Sequence, residues 1–266
     1  MSFSEQLSSL SLKIEKTIGK LPKEHPIIEW IAAAKRNYEA DKKMLAYSRA
    51  CYAQFVLEDL MKIQKYDTRL FESFKSKLKP RPMSLSTYFG LRMEIRVGAA
   101  LIDGKKKFIK EETPDFILDN PNNLGMECSS VILDPNRTLI PQKLSYKIEA
   151  TLKKKNTCKF KTPINILLID MTNLLFHEGD KNHSAELADM DVLKPNLRHI
   201  LEQSVFTALI LYCYAWEPIN EGNGATLHSC YIRLDKNKIL PDHKEFLDSQ
   251  YPFGDFWLKG HLSAHV

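Results

Sequence analysis

The stretch Thr113–Ser130 reads TPDFILDNPNNLGMECSS, and its punctuation decides the fold. Two short apolar runs, Asp115 to Leu118 and Gly125 to Leu133, flank the segment DNPNN, whose residues favour tight turns. A β-hairpin is therefore expected, with Asp115 at the start of one strand and Glu127 within the next. Across a tight hairpin two such residues sit side by side and point to one face. Two carboxylates held a few ångströms apart repel by roughly 1–4 kcal/mol at surface-like dielectric. A divalent cation cancels that repulsion, and an oxygen-rich pair suits magnesium or manganese.

Outward from this hairpin the pattern alternates. Upstream, SLSTYFGLRMEIRVGAAL at residues 84–101 predicts a helix, with Ser84 or Ser86 as its cap. A short strand-like run follows at Lys107 to Glu111. Downstream come a helix over Leu144 to Asn156, the nearly unbroken apolar run INILLIDMT at 164–172, and a helix over Asn196 to Ser204. A second apolar run, FTALILYCYAW at 206–216, closes the series. Apolar runs of this kind mark central strands covered on both faces, so the expected class is α/β, a mixed central sheet flanked by helices. Residues 1 to about 80 contain one glycine and carry apolar residues at helical spacing, such as Tyr52, Val56, Leu60 and Ile63. The basic, proline-bearing tract KSKLKPRPM at 75–83 breaks that pattern. It divides a helical N-terminal region (1–80) from the α/β domain (81–266).

A helix carrying a glutamate, then Pro114-Asp115 at a strand start, then Glu127 on the partner strand resembles the PD-(D/E)xK superfamily of restriction-endonuclease-like nucleases. The matching segment runs from about residue 86 to residue 172, a third of the chain, and includes Glu94 as the helical glutamate. The resemblance implies a metal-dependent DNA nuclease, an endodeoxyribonuclease in host defence or on a mobile element. Asp115, Glu127, the backbone carbonyl of Cys128 and Glu94 would be its ligands for magnesium or manganese. One position departs from the family: the lysine expected two residues after the second acid is Ser129 here.

Some members of the superfamily carry that lysine on the following helix, and the geometry can be followed here. From Glu127 to the strand end the chain travels about 17 Å at roughly 3.3 Å per residue. A returning helix covers this in about eleven residues at roughly 1.5 Å each. Counted from Leu144 this reaches Lys153 to Lys155, and the stripe Leu144, Ile148, Leu152 continues to Lys155. Lys155 is therefore the expected catalytic lysine, ahead of Lys147 and Lys143. Glu94 shares a stripe with Leu91, Val97, Gly98 and Leu101, and a carboxylate there needs a partner, either metal or a neighbouring Arg92 or Arg96. Lys105, Lys106, Lys107, Lys153, Lys154, Lys159 and Lys161 are candidate contacts to a phosphate backbone.

The remaining features bound the function. The formal charge of +5 permits nucleic-acid binding without demanding it. Five scattered cysteines, with no CxxC pair, argue for reduced thiols and against a structural zinc site. No basic-then-apolar leader opens the sequence, and the run ending at Trp216 is too short to span a bilayer. A cytoplasmic protein with no membrane contact is expected. Asp170 reads as a strand-end turn residue, Cys128 as a small core residue, and the loop residues His177, Glu178, Asp180 and His183 fit no zinc spacing. The N-terminal helices are candidates for DNA contact, a homodimer or a partner protein. With Ser129 in place of lysine, the competing reading is the same fold without catalysis, a nucleic-acid-binding or assembly subunit.

Overall fold

Four of the five helix starts in the first hundred residues carry a local side-chain cap. The computed structural model describes residues 2–79, 83–119, 124–132, 141–162, 165–172, 190–219 and 224–252. Helix α1 (Phe3–Ile18) opens with a capping box, in which the Glu5 amide donates to Ser2 Oγ and the Ser2 amide to Glu5 Oε2. Helix α2 (Pro26–Glu39) is capped by the His25 ring, whose Nδ1 accepts from the Ile27 amide at 3.2 Å. Helices α3 (Lys43–Tyr66) and α4 (Thr68–Leu78) meet at Asp67, which caps α4 through the Arg69 and Leu70 amides. Of the two serines considered for α5 (Leu85–Asp103), Ser84 provides the cap, accepting from the Thr87 amide at 3.1 Å.

The chain divides into two compact units. One comprises Met1–Ile102 with Trp216–His228, so α5 packs with the N-terminal helices. Its interior holds an aromatic cluster of Trp30, Tyr52, Tyr88 and Phe89. Buried Asp59 of α3 receives Arg92 at 3.4 Å and Arg96 at 2.9 Å from α5.

The second unit contains Asp103–Ala215 and the described residues from Ser229 onward. Its elements are β1 (Phe108–Lys110), β2 (Phe116–Leu118), β3 (Gly125–Ser130), α6 (Pro141–Asn156), β4 (Asn165–Asp170), α7 (Met190–Glu202), β5 (Phe206–Ile219) as far as Ala215, β6 (Gly224–Asp235) from Ser229, and α8 (Pro241–Gln250). The strands lie in sequential order, β1 to β6. β1, β2 and β3 pair antiparallel, whereas β3, β4 and β5 pair parallel. The parallel pairs need crossovers, and α6 and α7 provide them.

All six residues of β4 are buried, as its nearly unbroken apolar sequence predicts. On one face Leu167 and Ile169 pack with Leu209 and Leu211 of β5, under Ile148 and Leu152 of α6 and Leu197 and Leu201 of α7. The α/β class with a mixed sheet is thus the architecture, with eight helices and six strands among the described residues. Among those residues no helix is long and apolar enough to cross a membrane.

Candidate functional site

The antiparallel register builds the site. Phe116 pairs with Met126 and Ile117 with Gly125, so one step further along Asp115 stands across from Glu127. The approach to Asp115 is a tight β1–β2 turn with a cis Thr113–Pro114 peptide, in which the Glu111 amide donates to the Asp115 carbonyl at 3.0 Å. Gly125 allows the strands to close at this point. A Cβ there would collide with side-chain oxygens of Asn165 and Thr162 and with the Pro114 ring.

Both carboxylates are buried, Asp115 at 7% and Glu127 at 2% exposure. Asp115 Oδ2 accepts from the Cys128 amide at 2.8 Å, and its Oδ1 accepts from Lys110 Nζ at 3.0 Å. Glu127 pairs in parallel register with Leu167, which lies on the face covered by α6. From that helix Lys155, one turn beyond buried Leu152, donates its ammonium to Glu127 Oε1. Among the described residues Glu127 Oε2 has no hydrogen-bond partner.

The electrostatics follow from this arrangement. Burial first, and then the charge of Asp115, push the Glu127 carboxyl above its ordinary range. Lys155 works against that shift, as does the Asp115 backbone amide, which approaches the carboxylate without closing a bond to Oε2. For Lys155 burial is the largest influence and favours the neutral amine. Glu127 and Asp115 outweigh it and hold the ammonium above its ordinary value. Lys155 is therefore a permanent cation at neutral pH.

The structure brings Asp115, Glu127 and Lys155 together. Glu94 belongs to the other unit, where it pairs with Lys77 at 3.8 Å, while Arg92 and Arg96 turn to Asp59. Lys147 donates to the Ile132 carbonyl. The Lys143 side chain and the cluster His177, Glu178, Asp180 and His183 lie outside the described residues. Asp170 closes a turn by accepting from the Thr172 amide at 2.8 Å, and Cys128 is a buried strand residue.

Of the basic residues, Lys153 and Lys154 are exposed, with Lys153 pairing Glu149, and Lys161 reaches Glu111 at 2.7 Å. Lys159 is exposed. Lys105, Lys106 and Lys107 line a cavity of about 460 Å³ that also contains Asp119, Asp242 and Glu245. Exposed pairs of this kind contribute roughly 0–1 kcal/mol, so these lysines are free energetically to exchange partners.

One charged residue of the site was not anticipated, Lys110. The basic run lies at 105–107, and a lysine at the end of a three-residue strand carries no motif. Its signal lies in the register: Lys110 pairs with Phe116, the neighbour of Asp115, across the β1–β2 turn.

Among the described residues no group of three or more His, Cys, Asp and Glu side chains gathers as a metal cage. Magnesium commonly takes only one or two carboxylates from a protein and completes its shell with water and substrate oxygens. Asp115 and Glu127 fit that requirement, and the unpartnered Oε2 is an acceptor already in place. Comparison with protein-family models, with curated proteins and with solved structures finds no match to this chain.

Proposed function

We propose that the chain is a metal-dependent nuclease that hydrolyses phosphodiesters of DNA, with its centre at Asp115, Glu127 and Lys155. The observation that carries this reading is the buried, unpartnered Glu127 Oε2 beside a second buried carboxylate and a fixed ammonium. A buried carboxylate oxygen without a donor is costly unless a cation or a proton meets it. The resemblance to the PD-(D/E)xK nucleases, with Lys155 standing where Ser129 cannot serve, gives that cation a purpose.

Hydrolysis adds a water oxygen to phosphorus, breaks one P–O ester bond and returns a proton to the leaving oxygen. Asp115 and Glu127 would hold a magnesium or manganese ion, with the Cys128 carbonyl as a further donor. Such an ion acidifies a bound water and stabilises charge on the phosphate. Lys155 remains protonated, so it serves as a cation that orients the water or neutralises the phosphate, and not as a base. The exposed lysines 153, 154 and 159 supply non-specific attraction to the backbone.

A second reading has its own observation. Lys110 and Lys155 already match the two carboxylates charge for charge, as in a fold that binds nucleic acid or a partner without cutting. Incubation of plasmid and linear DNA with magnesium or manganese separates the two. Cleavage by the wild type that disappears in Asp115→Asn and Glu127→Gln supports the nuclease. DNA binding by wild type with no cleavage under either metal would sink it in favour of the silent fold.

A further inference from the structure

The two carboxylates of the site differ in what they still have to offer. Asp115 has both oxygens engaged, Oδ1 by Lys110 Nζ at 3.0 Å and Oδ2 by the Cys128 amide at 2.8 Å. Glu127 has one oxygen committed to Lys155 and the other open. A cation can therefore join Glu127 Oε2 without breaking a bond, but it can reach Asp115 Oδ1 only against an ammonium already seated there.

That ammonium is held in place. Lys110 Nζ also donates to the Glu111 carbonyl at 2.7 Å, and it lies 5.2 Å from the centre of the Phe116 ring. Its side chain is 13% exposed and that of Asp115 10%, so water screens the pair weakly. A lysine stem is flexible and its ammonium has three donors. Lys110 can leave Asp115 and keep the Glu111 carbonyl, which makes the contact exchangeable.

We infer that Lys110 is an internal counter-cation that competes with the divalent metal for Asp115, so that the metal binds by displacing it. This rests on the reading of Asp115 and Glu127 as a metal centre. The physical need is clear. Without metal, two buried carboxylates facing each other across the strands repel in a poorly screened site. Lys155 answers the charge of Glu127 and Lys110 that of Asp115. The metal-free centre is thereby stabilised at the expense of metal affinity, and Lys110 acts as a positioning residue of the centre.

The test is a calorimetric titration of the full-length protein with Mn²⁺ alone, without DNA, comparing wild type with Lys110→Met, Lys110→Arg and Asp115→Asn. Lys110→Met removes the competing charge and should tighten Mn²⁺ binding at least tenfold, about 1.4 kcal/mol. Lys110→Arg keeps the charge and should stay within about threefold of wild type, and Asp115→Asn should lose the site. Manganese should also raise the melting temperature of Lys110→Met by more than that of wild type, from a lower metal-free starting value. If Lys110→Met does not fold by circular dichroism, Lys110→Gln keeps a donor without the charge and should tighten binding in the same direction.

Unchanged or weaker affinity in the neutral variant overturns the inference and leaves the metal centre standing. Binding by Lys110→Met where wild type binds none supports the inference in its strongest form. Absence of Mn²⁺ binding in every variant overturns the inference together with the metal-centre reading.

Discussion

The Glu127 carboxyl lies between a second carboxylate and an ammonium, and its two neighbours pull its proton in opposite directions. Burial and Asp115 raise its affinity for a proton, and Lys155 lowers it. If ionised Glu127 is needed to hold the metal, which competes with the proton there, DNA cleavage at subsaturating metal should fall on the acid side through a midpoint above the ordinary carboxylate range. In metal-free Asp115→Asn, followed by NMR titration of the Glu127 carboxyl, the midpoint should move down, because one of the two upward influences is gone. Lys155 gives no matching loss on the alkaline side until well above neutrality, since its ammonium is held.

The same pair predicts a separation of stability from activity. Lys155→Met alone leaves Glu127 buried without its cation and should cost a few kcal/mol, by analogy with broken buried pairs. Lys155→Met with Glu127→Leu replaces both charges by apolar groups and should recover most of that stability. Cleavage should stay lost. Recovery of cleavage with stability would remove both Lys155 and Glu127 from the catalytic centre, and urea melts beside plasmid assays decide it.

At the scale of elements, the site depends on how closely β3 meets its neighbours and on the angle at which α6 returns. Gly125 is the critical contact, because any side chain there strikes Asn165, Thr162 and Pro114. Gly125→Ala should destabilise by about 1–3 kcal/mol, the usual cost of overpacking. It should lower cleavage beyond that, because Glu127 is two residues away on the same strand. Urea melts report the first effect, and cleavage at a temperature where the variant remains folded reports the second.

The hairpin and the α6 stripe were legible because each rests on a local signal. Turn residues at 119–123 separate apolar runs, and apolar residues recur at helical spacing up to Leu152. The rest lacked such a signal. β6 and α8 were not anticipated; GATLHSCYIRLD mixes polar and apolar residues, and PDHKEFLDSQ has few apolar positions. α7 begins at Met190, five residues before Pro195, where a proline ordinarily ends a helical reading. Lys110 escaped because a cross-strand neighbour is visible only once the register is known.

At the scale of the whole chain, each unit carries its own buried histidine, His25 in the helical unit and His243 in the sheet unit, and burial holds both below the ordinary value, so the effect of His25 should be confined to its own unit. In the helical unit His25 is 1% exposed. Its Nδ1 accepts from the Ile27 amide, and its Nε2 lies 3.0 Å from the Leu78 carbonyl, to which it donates. Both roles require the neutral ring with its proton on Nε2, because a second proton on Nδ1 would face the amide it now accepts from. Burial holds the ring below its ordinary value of 6.5, and the Leu78 carbonyl offsets only part of that. The unfolded chain then binds the proton more readily than the folded one. His25 contributes stability in full above the unfolded value, and this is lost as pH falls from about 6.5 toward the lower folded value. The slope cannot exceed about 1.4 kcal/mol per pH unit for one proton.

Hydrogen exchange on the full-length protein, corrected for intrinsic rates, should show amides of α2 and α4 losing protection between about pH 6.5 and 5. The part of this loss that depends on His25 should be smaller at amides of β4, whose unit carries His243 instead. His25→Gln should flatten the dependence and cost about 1–3 kcal/mol at neutral pH, where a bond to a buried carbonyl is weakened. Equal loss of protection in α2 and β4, in wild type and His25→Gln alike, would place the acid sensitivity in groups other than His25.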